Sequence, residues 1–241
     1  MLNSKNNIII YGYNTIKEAL KSNLIKIVII FINIIKLNIK KYKILIKNIK
    51  KQKIPFKILK KDKFDNKYKN KNKNLQGLVA NIFFKKKFNL NDIIEKNKKL
   101  KLIILILYNI TDTKNISSII RTSLCFNVNF IILPKNYYIY NSKIIKISSG
   151  AILKIPICRV NNLVSSIKYL IKNNIQILCI TEKSNNNIIN YNKENNSKKS
   201  VALIFGNEEY GINKKILNIS SNTFTIKINK SQTEFILQYQ P

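Results

Sequence analysis

The sequence predicts an α/β protein in two parts, a small α/β unit followed by a larger domain built on a parallel sheet. Three observations carry that expectation. Residues 102–107, 130–133, 175–180 and 201–205 are unbroken apolar runs of strand length, separated by stretches long enough for helices. Continuous apolarity marks strands buried on both faces, the habit of parallel sheets covered by helices. Residues 8–80 instead alternate short apolar runs with basic helical stretches, and at 45% hydrophobic residues the 241-residue chain can bury a real core.

In chain order, the first unit reads as a strand at Ile8–Tyr11, a helix from Asn14 to Leu20, a strand at Ile27–Phe31, a helix over 38–52 and a strand at Pro55–Leu59. Lys60 to Asn74 is rich in Lys, Asn and Asp and reads as a solvated loop. Strand character returns at Leu75–Ile82. Residues 85–98 are basic and polar and read as a linker, so the expected division is 1–84, a linker at 85–98, and 99–241. A last run, Phe224–Ile228, alternates and predicts a further strand.

Charge points toward a polyanion. The 44 Lys and Arg against 11 Asp and Glu leave a net charge of +33, which favours nucleic acid as partner. Lys, Asn and Ile dominate while Gly, Pro, Trp and His are scarce or absent, the bias of A/T-rich codons, so part of that charge belongs to composition. The absence of His excludes a His-based acid or base and the usual zinc sites, and no metal is expected. Cys125, Cys158 and Cys179 are widely spaced in apolar segments and read as buried, reduced thiols. The polar start, Met1 to Asn7, lacks the layout of a secretory signal, which predicts a cytoplasmic protein. The apolar stretch Leu24–Leu37 is broken by Lys26 and Asn33, so no membrane span is predicted.

Ligands of open parallel sheets bind beyond the carboxyl ends of the strands, which directs attention to the polar residues after each run. After 102–107 comes Asn109-Ile-Thr-Asp112-Thr-Lys-Asn115, leading to Arg121. Asp112 or Thr113 can cap a helix carrying Arg121, six residues beyond Asn115. A guanidinium beside Ile119, Ile120 and Leu124 stays charged and needs an opposite charge, either a structural ion pair or a substrate. After 201–205 comes Gly206-Asn-Glu208-Glu209-Tyr-Gly211-Ile, where Gly206 would let a ligand approach the backbone, or simply serve a strand-to-helix turn. Neither a Gly-x-Gly-x-x-Gly nor a Walker loop is present, so no dinucleotide- or NTP-binding loop is expected.

Taken together these segments resemble the SpoU family of RNA ribose 2′-O-methyltransferases, in the knotted SPOUT superfamily. Asp112, Asn115, Arg121 and Thr122 match the family's first motif, with Thr113, Ser117 and Ser123 at its Pro, Gly and Ala positions. Ser148-Ser-Gly150-Ala151 with Ile155-Pro156-Ile157 resembles its next landmark, and Gly206-Asn-Glu208-Glu-Tyr-Gly211-Ile212 its second motif. Ile10-Tyr-Gly12-Tyr-Asn14 with Glu18-Ala-Leu20, and Asn74-Leu-Gln76-Gly77, resemble an RNA-binding accessory domain of ribosomal-protein L30 type, and the layout is similar to the subgroup acting on a large-subunit rRNA guanosine.

The resemblance implies an L30e-like domain plus an α/β-knot domain, with S-adenosylmethionine as cofactor, ribosomal RNA as partner and a homodimer as the working form. Arg121 takes the catalytic role, with Asn115 and Glu208 holding the geometry. Gly206, Ile226, Ile228 and Ile236 line the cofactor crevice. The third motif departs from the family: Ile226-Lys-Ile228-Asn-Lys-Ser-Gln-Thr-Glu234-Phe-Ile236 lacks the Ser-Leu-Asn core. The ending in Gln-Tyr-Gln-Pro241 predicts a catalytic domain truncated at its C-terminus, its reading frame changed near Phe235. The competing expectations are a non-catalytic RNA-binding remnant and a tRNA ribose 2′-O-methyltransferase.

Overall fold

The computed structural model describes residues 7–68, 75–85, 87–191 and 199–226. Ile8–Tyr11 (β1), Ile25–Asn33 (β2), Phe56–Leu59 (β3) and Leu78–Phe84 (β4) form a four-stranded sheet in the order β1-β4-β2-β3. β4 is antiparallel to β1 and to β2, the latter pairing with a register shift between Ile27 and Ile29, and β2 is parallel to β3. Tyr13–Ala19 (α1) and Lys40–Lys51 (α2) bury Ile16 and Ala19, and Tyr42, Leu45 and Ile49, respectively. Both helices present lysines outward, the amphipathic arrangement their spacing predicts.

The Lys60–Asn74 stretch is not a loop throughout. Lys61–Tyr68 is a helix (α3), and Phe64 and Tyr68, four residues apart, lie buried against Tyr11, Phe31 and Val79. Two aromatic rings on one helical face outweigh the polar surroundings that suggested a loop. The Phe64 and Tyr68 rings are 5.2 Å apart, and burial pushes the Tyr68 phenol up to about 12. Leu90–Lys96 (α4) is a further helix, capped by Asn89, whose side chain accepts from Asn91 N–H at 3.0 Å. Leu90 and Ile94 are its buried residues.

Ile103–Leu107 (β5), Phe130–Pro134 (β6), Ile157–Val160 (β7), Gln176–Ile180 (β8), Val201–Phe205 (β9) and Asn222–Phe224 (β10) make a six-stranded sheet, ordered β10-β8-β9-β5-β6-β7. The pairs β10/β8, β8/β9, β9/β5 and β5/β6 are parallel, as continuous apolarity predicts. The last strand starts two residues before the expected Phe224–Ile228 and pairs with β8. Thr113–Cys125 (α5), Ser142–Ile147 (α6), Leu163–Lys172 (α7) and Lys214–Ile219 (α8) are the helices of this half of the chain among the described residues. No helix among them is long and apolar enough to cross a membrane.

The chain packs as two compact units. One draws on Met1–Phe88, Thr111–Val128 and Asn136–Ile157, the other on Asn89–Ile110, Asn129–Lys135 and Cys158–Pro241. In the first, α6 packs on β1 and α5, and the 3-10 turn Ala151–Leu153 packs on α1 and α5. The second contains the centre of the parallel sheet.

Candidate active site

In the six-stranded sheet the chain runs outward from β5 to β6 and β7, then returns on the other side of β5. The strand order therefore reverses between β5 and β9, the place where open α/β sheets bind ligands beyond the carboxyl ends. Two asparagines organise that place. Tyr108 N–H continues the ladder onto the Phe205 carbonyl at 2.8 Å, and Asn109 then turns with φ of +55°, a conformation asparagine tolerates.

Opposite it, Asn207 is bonded on every side. Its Nδ2 donates to the Asn109 carbonyl at 2.9 Å, and its Oδ1 accepts from Glu209 N–H at 2.8 Å and Tyr210 N–H at 3.0 Å. Its backbone exchanges hydrogen bonds with Gly211, at 2.9 and 3.2 Å. Sequence reading passed over Asn207 in favour of its glycine and acid neighbours. The signal was present: a short amide after a strand, two residues before free N–H groups, is the setting of an Asx turn.

Gly206 lies inside this loop, closely packed by it. A Cβ on it would sit 2.6 Å from the Gly211 carbonyl carbon and 2.7 Å from Ile212 Cγ1, so the loop's own backbone requires the glycine. Glu208 is exposed, and so is Tyr210, at 84%. Ile226 follows β10 and is 52% exposed. Ile228 and Ile236 lie outside the described residues.

Asn115 and Arg121 belong to the other compact unit, on α5. Asp112 caps that helix as predicted, its Oδ1 accepting from Lys114 N–H at 2.8 Å. Ile116, Ser117, Ile120 and Ser123 form the buried side, while Asn115, Ser118, Arg121, Thr122, Cys125 and Phe126 face solvent. Six residues of helix set Asn115 and Arg121 about 9 Å apart along the axis and about 120° around it. Among the described residues Arg121 has no ion-pair or hydrogen-bond partner, so the structural ion pair allowed by the sequence is absent there. An exposed, uncommitted guanidinium can stabilise an oxyanion on an approaching ligand.

Two of the three thiols are buried. Burial pushes the Cys158 thiol up to about 12 and raises that of Cys179, which lies 2.9 Å from Ser220 Oγ. Cys125, expected to be buried, is exposed, because it falls on the solvent side of α5. No cluster of three or more Cys, Asp or Glu residues able to hold a metal occurs among the described residues.

Comparison with known proteins fits this arrangement. Residues 102–234 match the SpoU rRNA methylase family, and residues 9–88 match the RNA 2′-O ribose methyltransferase substrate-binding family. The chain is 28% identical over 177 residues to the 23S rRNA (guanosine-2′-O-)-methyltransferase RlmB of Blochmanniella floridana, covering 68% of each. A TrmH-family chain of Staphylococcus aureus is 32% identical over 51% of this chain and 48% of its own length. The fold is that of the SpoU methyltransferase AviRb from Streptomyces viridochromogenes, with a TM-score of 0.71 at 15% identity, over 93% of this chain and 81% of that one. An AdoMet-bound rRNA methyltransferase from Sinorhizobium meliloti superimposes with a TM-score of 0.69 at 16% identity, over 94% and 80% of the two chains.

Proposed function

Because the chain belongs to the SpoU rRNA methylase family, we propose that it methylates the 2′-hydroxyl of a guanosine ribose in ribosomal RNA, using S-adenosylmethionine. The observation that carries this reading is Arg121, exposed on α5 without an ion-pair or hydrogen-bond partner among the described residues, at the position the family's first motif reserves for its arginine. The ribose hydroxyl is a weak nucleophile until its conjugate base is stabilised. A guanidinium offers donors and no acceptor, so Arg121 takes no proton and instead holds the developing alkoxide by charge, as the proton passes to solvent.

Two features of the described part of the second unit support a cofactor there. Ile226 offers exposed apolar surface, and the loop pinned by Asn109 and Asn207 offers a fixed backbone at Gly206 at the sheet's reversal point. Bound there, the cofactor supplies an electrophilic methyl on a sulfonium. Glu208 and Asn115 then orient the reacting groups, and the fixed loop removes the need to order them during the reaction. In this reading residues 1–84 bind RNA, 85–98 join the two parts, and 99–241 carry the chemistry in a cytoplasmic homodimer.

The missing Ser-Leu-Asn core in the third motif favours a second reading, an RNA-binding protein that has lost its cofactor. Calorimetric titration of S-adenosylmethionine into the 241-residue chain, followed by mapping of ribose methylation on rRNA with Arg121→Ala as control, separates the two. Micromolar cofactor binding and methylation that Arg121→Ala abolishes support the enzyme. A folded chain that binds RNA and never the cofactor supports the remnant.

A further inference from the structure

Three sequence segments that the chemistry leaves unused meet at one place in the first compact unit. The Gly12 segment and the Gln76 segment are stitched together, Tyr13 N–H donating to Gln76 Oε1 at 2.8 Å and Gly12 N–H to the Leu78 carbonyl at 3.1 Å. The Tyr42 hydroxyl of α2 donates to the Gln76 carbonyl at 2.7 Å, and its ring lies 5.3 Å from that of Tyr13. From α6, just before Ser148 and Gly150, Lys146 lays its ammonium 5.6 Å from the Tyr11 ring centre and against Gly12. A Cβ at Gly12 would clash with Lys146 Nζ where it lies, so this placement of the ammonium depends on glycine. Lys41 stands over the Tyr13 ring at 5.1 Å.

Two cations thus lie against aromatic rings, and among the described residues neither forms an ion pair. For Lys146 this is unusual. A lysine on a surface helix can extend its flexible stem to water, yet this one stays half-buried, and desolvation lowers its pKa. The Tyr11 ring face offsets part of that cost, and an anion would offset the rest.

We propose that Lys146 and Lys41 together bind the phosphodiester backbone of the RNA substrate beside Tyr13. The substrate-binding stretch, 9–88, then grips RNA through a lysine lent by the methylase stretch, 102–234. This rests on RNA being the substrate, as proposed above, but not on methyl transfer.

The test is fluorescence anisotropy with a labelled single-stranded RNA of mixed sequence, on the full chain, over a range of salt. Lys146→Met should weaken binding about tenfold and lower the log–log salt slope by about 0.7, the share of one phosphate contact. Lys41→Met should weaken it at least about threefold, and Lys172→Met, at the exposed end of α7, less than about twofold. Melting of Lys146→Met should not fall below wild type, since removing an ammonium whose folded-state pKa is depressed relieves the fold. If Lys146→Met or Lys41→Met binds as wild type, or no worse than Lys172→Met, the site is wrong. Calorimetry with S-adenosylmethionine on the same samples keeps the two ideas apart: lost cofactor binding with intact lysine effects sinks only the enzyme reading, and the reverse sinks only this one.

Discussion

The side-chain amide of Asn207 donates to the backbone carbonyl of Asn109 across 2.9 Å and 98 residues of sequence. It ties the loop leaving β9 to the loop leaving β5, at the one point in the parallel sheet where strand order turns back. The same side chain closes its own loop through two backbone N–H groups, so a single residue sets both the shape and the position of the Glu208 segment.

Asn207→Ala removes three hydrogen bonds and leaves two N–H groups and a carbonyl to find water. A loss of about 1–3 kcal/mol in unfolding free energy is expected, measured by urea denaturation, with methyl transfer falling further than stability. Asn207→Ser, which keeps a short acceptor, should recover part of both.

Arg121→Ala should behave oppositely. Its guanidinium is exposed and makes no ion pair or hydrogen bond among the described residues, so the melting temperature should stay within a degree or two of wild type. The turnover rate should drop about 10²- to 10³-fold, the loss typical of removing one stabilising donor from an oxyanion. A large fall in stability with Arg121→Ala would mean the residue is structural after all.

Glu18 connects α1 to the turn after α6, through ion pairs with Lys154 and with Lys21, the latter at 3.4 Å. Burial tends to raise its pKa, but the hydrogen bond and charge of Lys154, helped by Lys21, hold it below the usual carboxylate value. A carboxyl whose folded-state pKa is depressed adds stability above its unfolded value and loses it as pH falls through the folded one. Thermal melts across the acid range should therefore show Glu18→Gln with a shallower loss of stability than wild type, and the two curves should converge at the lowest pH.

Phe64→Ala tests the helix hidden in the lysine-rich stretch. The ring is almost fully buried among Tyr11, Phe31, Tyr68 and Val79, so truncation should cost about 3–5 kcal/mol by chemical denaturation. A solvated loop would lose almost nothing.

The parts of this protein that were legible in sequence are those set by short-range pattern. β5, β6, β8 and β9 appear within a residue or two of their apolar runs, and Asp112 caps α5 as its place before the run suggested. Arg121 stood out as a charge beside Ile119, Ile120 and Leu124, and it falls on the solvent side of α5. The helix at Lys61–Tyr68 was hidden because its two anchoring rings are outnumbered by charges, and only the sheet beneath them decides the outcome. Asn207 was hidden for another reason, since half its importance lies in a carbonyl 98 residues away that no local pattern announces. Gly206 was noticed for close approach, and the Gly211 backbone does approach it, to 2.6 Å from where a Cβ would sit.

The order of strands in the parallel sheet also has a kinetic meaning. β5 is flanked by β6, which follows it after one helix, and by β9, whose residues 201–205 arrive nearly a hundred positions later. During synthesis the β9-facing edge of β5 waits bare, an apolar row of Ile and Leu with open backbone groups, until residues 201–205 have been made. Long-range parallel pairing of this kind folds slowly and leaves edges exposed to other chains meanwhile. Yield in the cell should thus depend on translation speed and chaperone supply between residues 107 and 201 more than on the equilibrium stability of the finished sheet.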